Sequence, residues 1–334
     1  MYAEGRQVAA SAVCKAAGDI VVDVPLLHGN NRLTVRAFDD RGFASNPAVV
    51  DVASAAPAAR RPDLWVVAAG VSKYPNLGPE YQLDAAADDA KAIASAFAAQ
   101  AGPDKLFAKA TAVTLLDPQV TVAALEKALA PLAAMQPEDV AVVFLSGHGV
   151  KPTEEADMVF LTSATQNSKE SFAREGIGWA KLGELVAASR GRLIVLLDAC
   201  HSGHVTREVV TPNAALATSL VRSQRAGAFV FAASKGRQES FELGASAPGG
   251  KAATPGTKAL EGSATNVPHA FFAAAILKSL ETRATDRDAD GVIELSELVE
   301  DVVARVSRAS EGRQTPWAPR REIFGDFAIA RAAK

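Results

Sequence analysis

From Leu64 onward the chain alternates two kinds of segment. Leu64 to Val71, Val140 to Leu145, Leu193 to Leu197 and Ala228 to Ala233 are short, almost unbroken apolar runs. Runs of that length with no polar face read as strands buried on both sides. Ala112 to Leu116 and Val159 to Thr162 read as further short strands. Between them, apolar positions recur at helical spacing over Asp84 to Gln100, Thr121 to Ala134, Trp179 to Ser189, Pro268 to Leu280 and Leu295 to Val306. Thr121 stands where a helix N-cap belongs. Strands alternating with helices predict an α/β domain over residues 63–330, a mostly parallel sheet with helices on both faces.

The first 55 residues follow another pattern. Ile20 to Val24 is a β-branched run broken by Asp23 and ended by Pro25, and Gly29-Asn30-Asn31 reads as a turn. Leu33, Val35 and Ala37 alternate with Thr34 and Arg36, Asp39 to Gly42 is a second turn, and Val49 to Val52 is another short strand. Short strands joined by tight turns predict an all-β segment over 1–55, a fragment of an immunoglobulin-like sandwich too short to hold every strand. Residues 56–62, rich in Ala, Pro and Arg, read as a linker. Two stretches interrupt the α/β pattern: the polar segment 205–226, and 244–267, whose Gly, Ala, Ser, Thr and Pro predict a disordered loop.

Composition narrows the function classes. The 334 residues are 49% hydrophobic and 22% charged, enough apolar material for a packed core. A net charge of -3 gives no basic face for nucleic acid. No apolar run approaches the ~20 residues that span a bilayer, and MYAEGRQVAA lacks the pattern of a signal peptide. Cys14 and Cys200 are too few for a disulfide framework, which points to a reducing, cytoplasmic setting.

The chemistry gathers where two buried strands end. Val140 to Leu145 runs into Ser146-Gly147-His148-Gly149, and Leu193 to Leu197 runs into Asp198-Ala199-Cys200-His201-Ser202-Gly203. Open α/β sheets bind ligands beyond the carboxyl ends of their strands. If the two strands are neighbours, His148 stands beside Cys200, and a thiol needs such a base to become a nucleophile. The flanking glycines let backbone amides approach a substrate oxyanion. The bland reading is a buried thiol and a turn histidine. A zinc site from Cys200, His201, His204 and His148 is disfavoured by the C-H-x-x-H spacing. His28 and His269 read as structural or solvated, and Cys14 as a plain thiol.

SGHG after one strand and DACHSG after another resemble the caspase–metacaspase clan of cysteine peptidases, in particular its prokaryotic caspase-like members. LWVVAAGVSKY (64–74), AADDA (86–90), FVFAASKGRQESFE (229–242), the helix from His269 to Leu280 and FGDF (324–327) resemble further parts of that family in order. The resemblance implies a Cys-His dyad, with Cys200 as nucleophile and His148 as general base or acid. It also implies an oxyanion hole from the amides of Gly149 and Cys200. Asp198 matches the metacaspase position that lines the S1 pocket, and Asp89 matches a second pocket carboxylate, with Asp84 and Asp88 as neighbouring candidates. Cleavage after Arg or Lys follows from such a pocket. The segment 205–226 falls where caspases carry an intersubunit linker, and Arg207, Arg222 and Arg225 offer basic sites for self-cleavage. No cofactor is required for the chemistry. Partners are protein or peptide substrates and an upstream activator protein, not nucleic acid or membrane.

One motif stands apart. Residues 286–297 fit D-x-D-x-D-G-x5-E, a calcium loop with Asp286, Asp288, Asp290, the Val292 carbonyl, Glu294 and Glu297 as ligands. Such loops usually pair and this one is single, so the alternative is a turn capping the helix from Leu295. Two rival functions stay open: a catalytically silent caspase-like scaffold, and a calcium-binding interaction module.

Overall fold

The computed structural model describes residues 2–3, 6–7, 23–35, 37, 45–55, 60–153, 156, 158–199, 228–234, 240, 269–318 and 326–333. The expectations placed on Cys14, Ile20 to Val22, Asp39 to Gly42, 205–226 and 244–267 lie outside these residues.

Five parallel strands form the centre. They are β5 (Leu64–Gly70), β6 (Ala110–Leu116), β7 (Val140–Gly147), β11 (Arg192–Ala199) and β12 (Ala228–Ala232), in the spatial order β12-β11-β7-β5-β6. The register explains why the sequence runs were apolar at every position. Val113, Val67, Val143, Val195 and Val230 form one rung across the sheet, and their side chains enter one core. In the next rung, Ala68, Phe144, Leu196 and Phe231 point into the other. Alternate residues thus bury against opposite layers, so neither face tolerates polar positions.

Helices α2 (Val122–Leu129) and α4 (Trp179–Ala187) cover the first face through Leu125, Leu129, Leu182 and Val186. Three small strands, β8 (Gly149–Val150), β9 (Val159–Phe160) and β10 (Ile177–Gly178), pair antiparallel on the same side, with α3 (Lys169–Glu175) between the last two. The other face carries α1 (Ala86–Ala98), α5 (Phe271–Glu281) and α6 (Leu295–Ala309) through Ile93, Phe97, Phe272, Ile276, Val302 and Val306. Thr121 caps α2 by accepting the Ala124 amide at 3.1 Å, as expected. The helix ends at Leu129, earlier than its sequence pattern, and tightens into a 3-10 turn over Ala130–Ala134. Pro131 lacks the N–H that would continue the α ladder.

The N-terminal segment holds a four-stranded antiparallel sheet. Its strands are β1 (Tyr2–Ala3), β2 (Arg6–Gln7), β3 (Gly29–Val35) and β4 (Ala48–Ser54), with Arg32 paired to Asp51 across β3 and β4. The expected turn at Gly29-Asn30-Asn31 is instead the start of β3. The Asn31 side chain bonds Leu27 N and O and Gly29 O, closing the reversal two residues earlier. The end of the expected linker is docked. Arg60 pairs with Asp139, Glu138 and Asp63, and the Arg61 guanidinium donates to the carbonyls of Gly102, Pro103, Lys105 and Phe107. Among the described residues no helix is long and apolar enough to cross a membrane.

Candidate active site

Strands β7 and β11 are direct neighbours and end level with each other. Asp198 faces Ser146 in the register and Ala199 faces Gly147. The residues that follow this rung in sequence are His148 and Cys200; Cys200 and the rest of the DACHSG turn lie outside the described residues.

His148 is buried on every side. Its backbone N–H donates to the Tyr74 hydroxyl at 3.0 Å, and its carbonyl accepts from Leu161 at 2.9 Å. The imidazole ring lies 5.0 Å from the Tyr74 ring and edge-on to Tyr81 at 5.8 Å. Nε2 stands 2.8 Å from the Tyr81 carbonyl oxygen. A carbonyl only accepts, so Nε2 carries the proton and the lone pair of the neutral ring sits on Nδ1. Gln82 holds the supporting loop by accepting from Tyr74 N and donating to the carbonyls of Tyr74 and Gly78. Gly147 is required here. A Cβ on it would come within 2.9 Å of the Tyr74 hydroxyl and 3.0 Å of the Phe160 ring. Gly149, the expected oxyanion donor, lies in β8 opposite Phe160.

Asp198 is fully buried at the end of β11, and its Oδ1 accepts from the Ser240 hydroxyl at 2.7 Å. Ser240 in turn receives a hydrogen bond from Gln314 Nε2 at 3.2 Å. Beside Asp198 in the register, Ser146 Oγ is buried and has no hydrogen-bond partner among the described residues. Ser146, Ser240, Gln314, Tyr74 and Tyr81 were not singled out from sequence. Ser146 alone carried a local signal, its place between a buried strand and the histidine.

Asp89 occupies a different setting. It lies in the first turn of α1, fully buried, with Oδ1 2.5 Å from His269 Nδ1 and Oδ2 accepting from Ala270 N at 3.1 Å. His269 is itself buried, which fits the structural one of its two readings and not the solvated one. Burial pushes the Asp89 carboxyl up to about 6, against the pull of His269. The bond to Asp89 raises the imidazole above its ordinary value, against burial. Each group of the pair thus holds its proton more tightly than it would in water. Among the described residues, Asp89 bonds His269 and Ala270, and Asp198 bonds Ser240.

The acidic loop lies at the other end of the sheet. The carboxylates of Asp286, Asp288 and Asp290 approach within 4.8 Å of one another, as do those of Asp288, Glu294 and Glu297. These groups could hold a divalent cation. Glu297 also serves the capping alternative, accepting from Arg287 N and Glu294 N at the start of α6. Burial, with Glu297 alongside, pushes Glu294 up to about 8. Burial also works to raise Glu297, but the amide bonds from Arg287 and Glu294 outweigh it and hold it low. A cavity of about 530 Å³ opens here, lined by Asp288, Asp290, Glu294, Glu297, Val140 and Arg192 among others. Val140 and Arg192 begin their strands, so this cavity is remote from His148.

A parallel sheet with a histidine fixed at the end of one central strand, beside a strand that runs into a cysteine, defines an α/β protein with a candidate site at the sheet's carboxyl edge. The caspase-domain model matches residues 65–328, and the chain belongs to the caspase-domain family. That family consists mainly of cysteine peptidases that act on proteins. A search of curated proteins finds no match. Among solved structures, protein GSU0716 from Geobacter sulfurreducens aligns at 16% identity with a TM-score of 0.49, over 81% of this chain and 100% of that one. Caspase-1 from Spodoptera frugiperda aligns at 11% identity with a TM-score of 0.40, over 81% of this chain and 90% of that one.

Proposed function

We propose that the chain is a cysteine endopeptidase that uses a Cys200–His148 dyad and cleaves after Arg or Lys. The observation that carries this reading is the β7–β11 register. It sets Gly147 against Ala199, so that His148 and Cys200 each follow the same rung by one peptide step, about 3.8 Å. With Nε2 bonded to the Tyr81 carbonyl, His148 Nδ1 is the atom that takes the Cys200 proton. The thiolate attacks the scissile carbonyl carbon, and the carbonyl π electrons move to the oxygen, which the amides of Gly149 and Cys200 stabilise. The proton passes from His148 to the departing amine as the C–N bond breaks. Water, deprotonated by His148, then hydrolyses the thioester and releases the thiol.

Asp198 takes the charge of the basic P1 side chain, and Ser146 Oγ accepts one of its N–H groups. A basic P1 residue brings the buried carboxylate a counter-charge that an apolar or acidic one does not. Asp89 is the second acidic residue of the pocket. Its oxygens accept from His269 and Ala270, which would hold it as the second carboxylate of the S1 pocket. Arg207, Arg222 and Arg225 are the basic sites for self-cleavage, and the loop 286–297 takes calcium weakly as a stabilising ion.

The test is a fluorogenic peptide panel varied at P1, run on wild type and Cys200→Ala, with a peptidyl thiol-reactive inhibitor alongside. Turnover after Arg or Lys that Cys200→Ala abolishes, with the label on Cys200, supports the peptidase. An unlabelled Cys200 and no turnover would make the chain a scaffold of the same fold.

A further inference from the structure

The residues around Asp198 form a chain with a fixed direction. Gln314 is fully buried, and its Nε2 contacts the Ala233 carbonyl at 3.0 Å and Ser240 Oγ at 3.2 Å. The carbonyl only accepts, which identifies the amide nitrogen and makes Ser240 Oγ an acceptor from it. The single proton of the Ser240 hydroxyl then goes to Asp198 Oδ1, at 2.7 Å. From the Ala233 backbone to the carboxylate, every hydrogen is assigned.

Three distant parts of the chain meet here. Gln314 reaches the site because α6 ends in a tight reversal. Gly312 takes a left-handed φ of 79° and its amide bonds the Ser307 carbonyl at 2.7 Å. Ser310 Oγ accepts from Gln314 N at 2.9 Å and donates to its carbonyl at 3.1 Å. Trp317 then pairs with Ala232, laying the segment along the outer edge of β12.

We infer that Gln314 is a positioning residue for substrate specificity, holding through Ser240 the carboxylate of Asp198 that receives the basic P1 side chain. The inference rests on the proposed reading of Asp198. A rotatable carboxylate would lose orientation entropy on pairing with a guanidinium; one already held at Oδ1 presents its geometry in advance. Gln314 and Ser240 act on binding of P1, before and during the chemical steps alike, so their loss appears in KM rather than in kcat.

The experiment measures kcat and KM for matched P1-Arg and P1-Lys peptides with Gln314→Met and Ser240→Ala, each in the wild-type and Asp198→Ala backgrounds. Iodoacetamide labelling of Cys200, which needs no P1 contact, reports whether the nucleophile is intact. Both single variants should lower kcat/KM for P1-Arg about tenfold through KM. Iodoacetamide labelling should be unchanged, and the loss should shrink below about twofold once Asp198 is alanine. Ser240→Ala removes one oxygen and adds no bulk, so it answers if Gln314→Met fails to fold. Equal losses in both backgrounds, or none in either, would overturn the inference. If Asp198→Ala itself keeps the wild-type P1 preference, the reading of Asp198 falls instead, and the inference falls with it.

Discussion

Replacing Asp89 with alanine would strand two groups in the core at once. His269 is 4% exposed and loses the partner at its Nδ1, and Ala270 N–H, at the N-cap of α5, loses its acceptor. Removing one member of a buried pair costs about 3–5 kcal/mol, and an orphaned buried amide about 1–3 kcal/mol. The imidazole can relieve part of this by releasing its proton. The low end, about 3 kcal/mol, is therefore the expected cost, a factor of roughly 100 in the folding equilibrium. For a domain of this size the melting temperature should fall by about 6–10 °C. Asp89→Asn keeps an oxygen for Ala270 and an N–H for a neutral imidazole, so it should lose only about 1–2 kcal/mol.

The pH dependence separates charge from shape. The folded Asp89 is raised from 3.8 to about 6, and the folded His269 is raised above 6.5. Both groups hold their proton more tightly in the folded chain, so each contributes stability that is present at low pH and lost as pH rises. The Asp89 part goes between about 4 and 6, and the His269 part goes above 6.5. Urea unfolding of wild type and Asp89→Ala across pH 5 to 8 should show the stability difference shrinking as pH rises. A difference that stays flat, or widens toward pH 8, would refute the upward shift of both groups.

The remaining expectations concern the proposed chemistry. His148→Ala should lower kcat by about 10²–10⁴-fold, read with a P1-Arg peptide; near-normal turnover would remove His148 from the dyad. Asp198→Ala should abolish the preference for basic P1 residues, and efficient wild-type cleavage after Asp would contradict the pocket assignment. Concentrated wild type should cut itself at Arg207, Arg222 or Arg225 while Cys200→Ala stays whole; mass spectrometry of active enzyme showing only intact chain would return 205–226 to an uncut loop. Millimolar calcium should raise the melting temperature, and Glu297→Gln should remove that rise; an unchanged melting temperature would leave the loop as a helix cap.

What could be read along the chain was whatever local physics dictates. The runs at 64–71, 140–145 and 193–197 had to be central strands, because only a strand covered on both faces carries apolar side chains at every position. Thr121 had to cap a helix, and the glycine-flanked histidine after β7 was legible because a buried strand delivers it to the sheet's edge. The match of Asp286 to Glu297 to a calcium loop was equally plain, and so was a helix-capping turn as its alternative, but not that Glu297 serves both. That depends on Arg287 N and Glu294 N converging on Glu297. Only the tertiary structure decided which strands are neighbours, and hence that Gly147 and Ala199, the residues before His148 and Cys200, share a rung. It also paired Asp89 with His269 across 180 residues and drew Ser240 and Gln314 onto Asp198. Those contacts join segments far apart in sequence, and their partners are ordinary residues until packing removes the water around them. A local pattern records the face a residue must bury; the partner it meets there is set by how the layers close over the sheet.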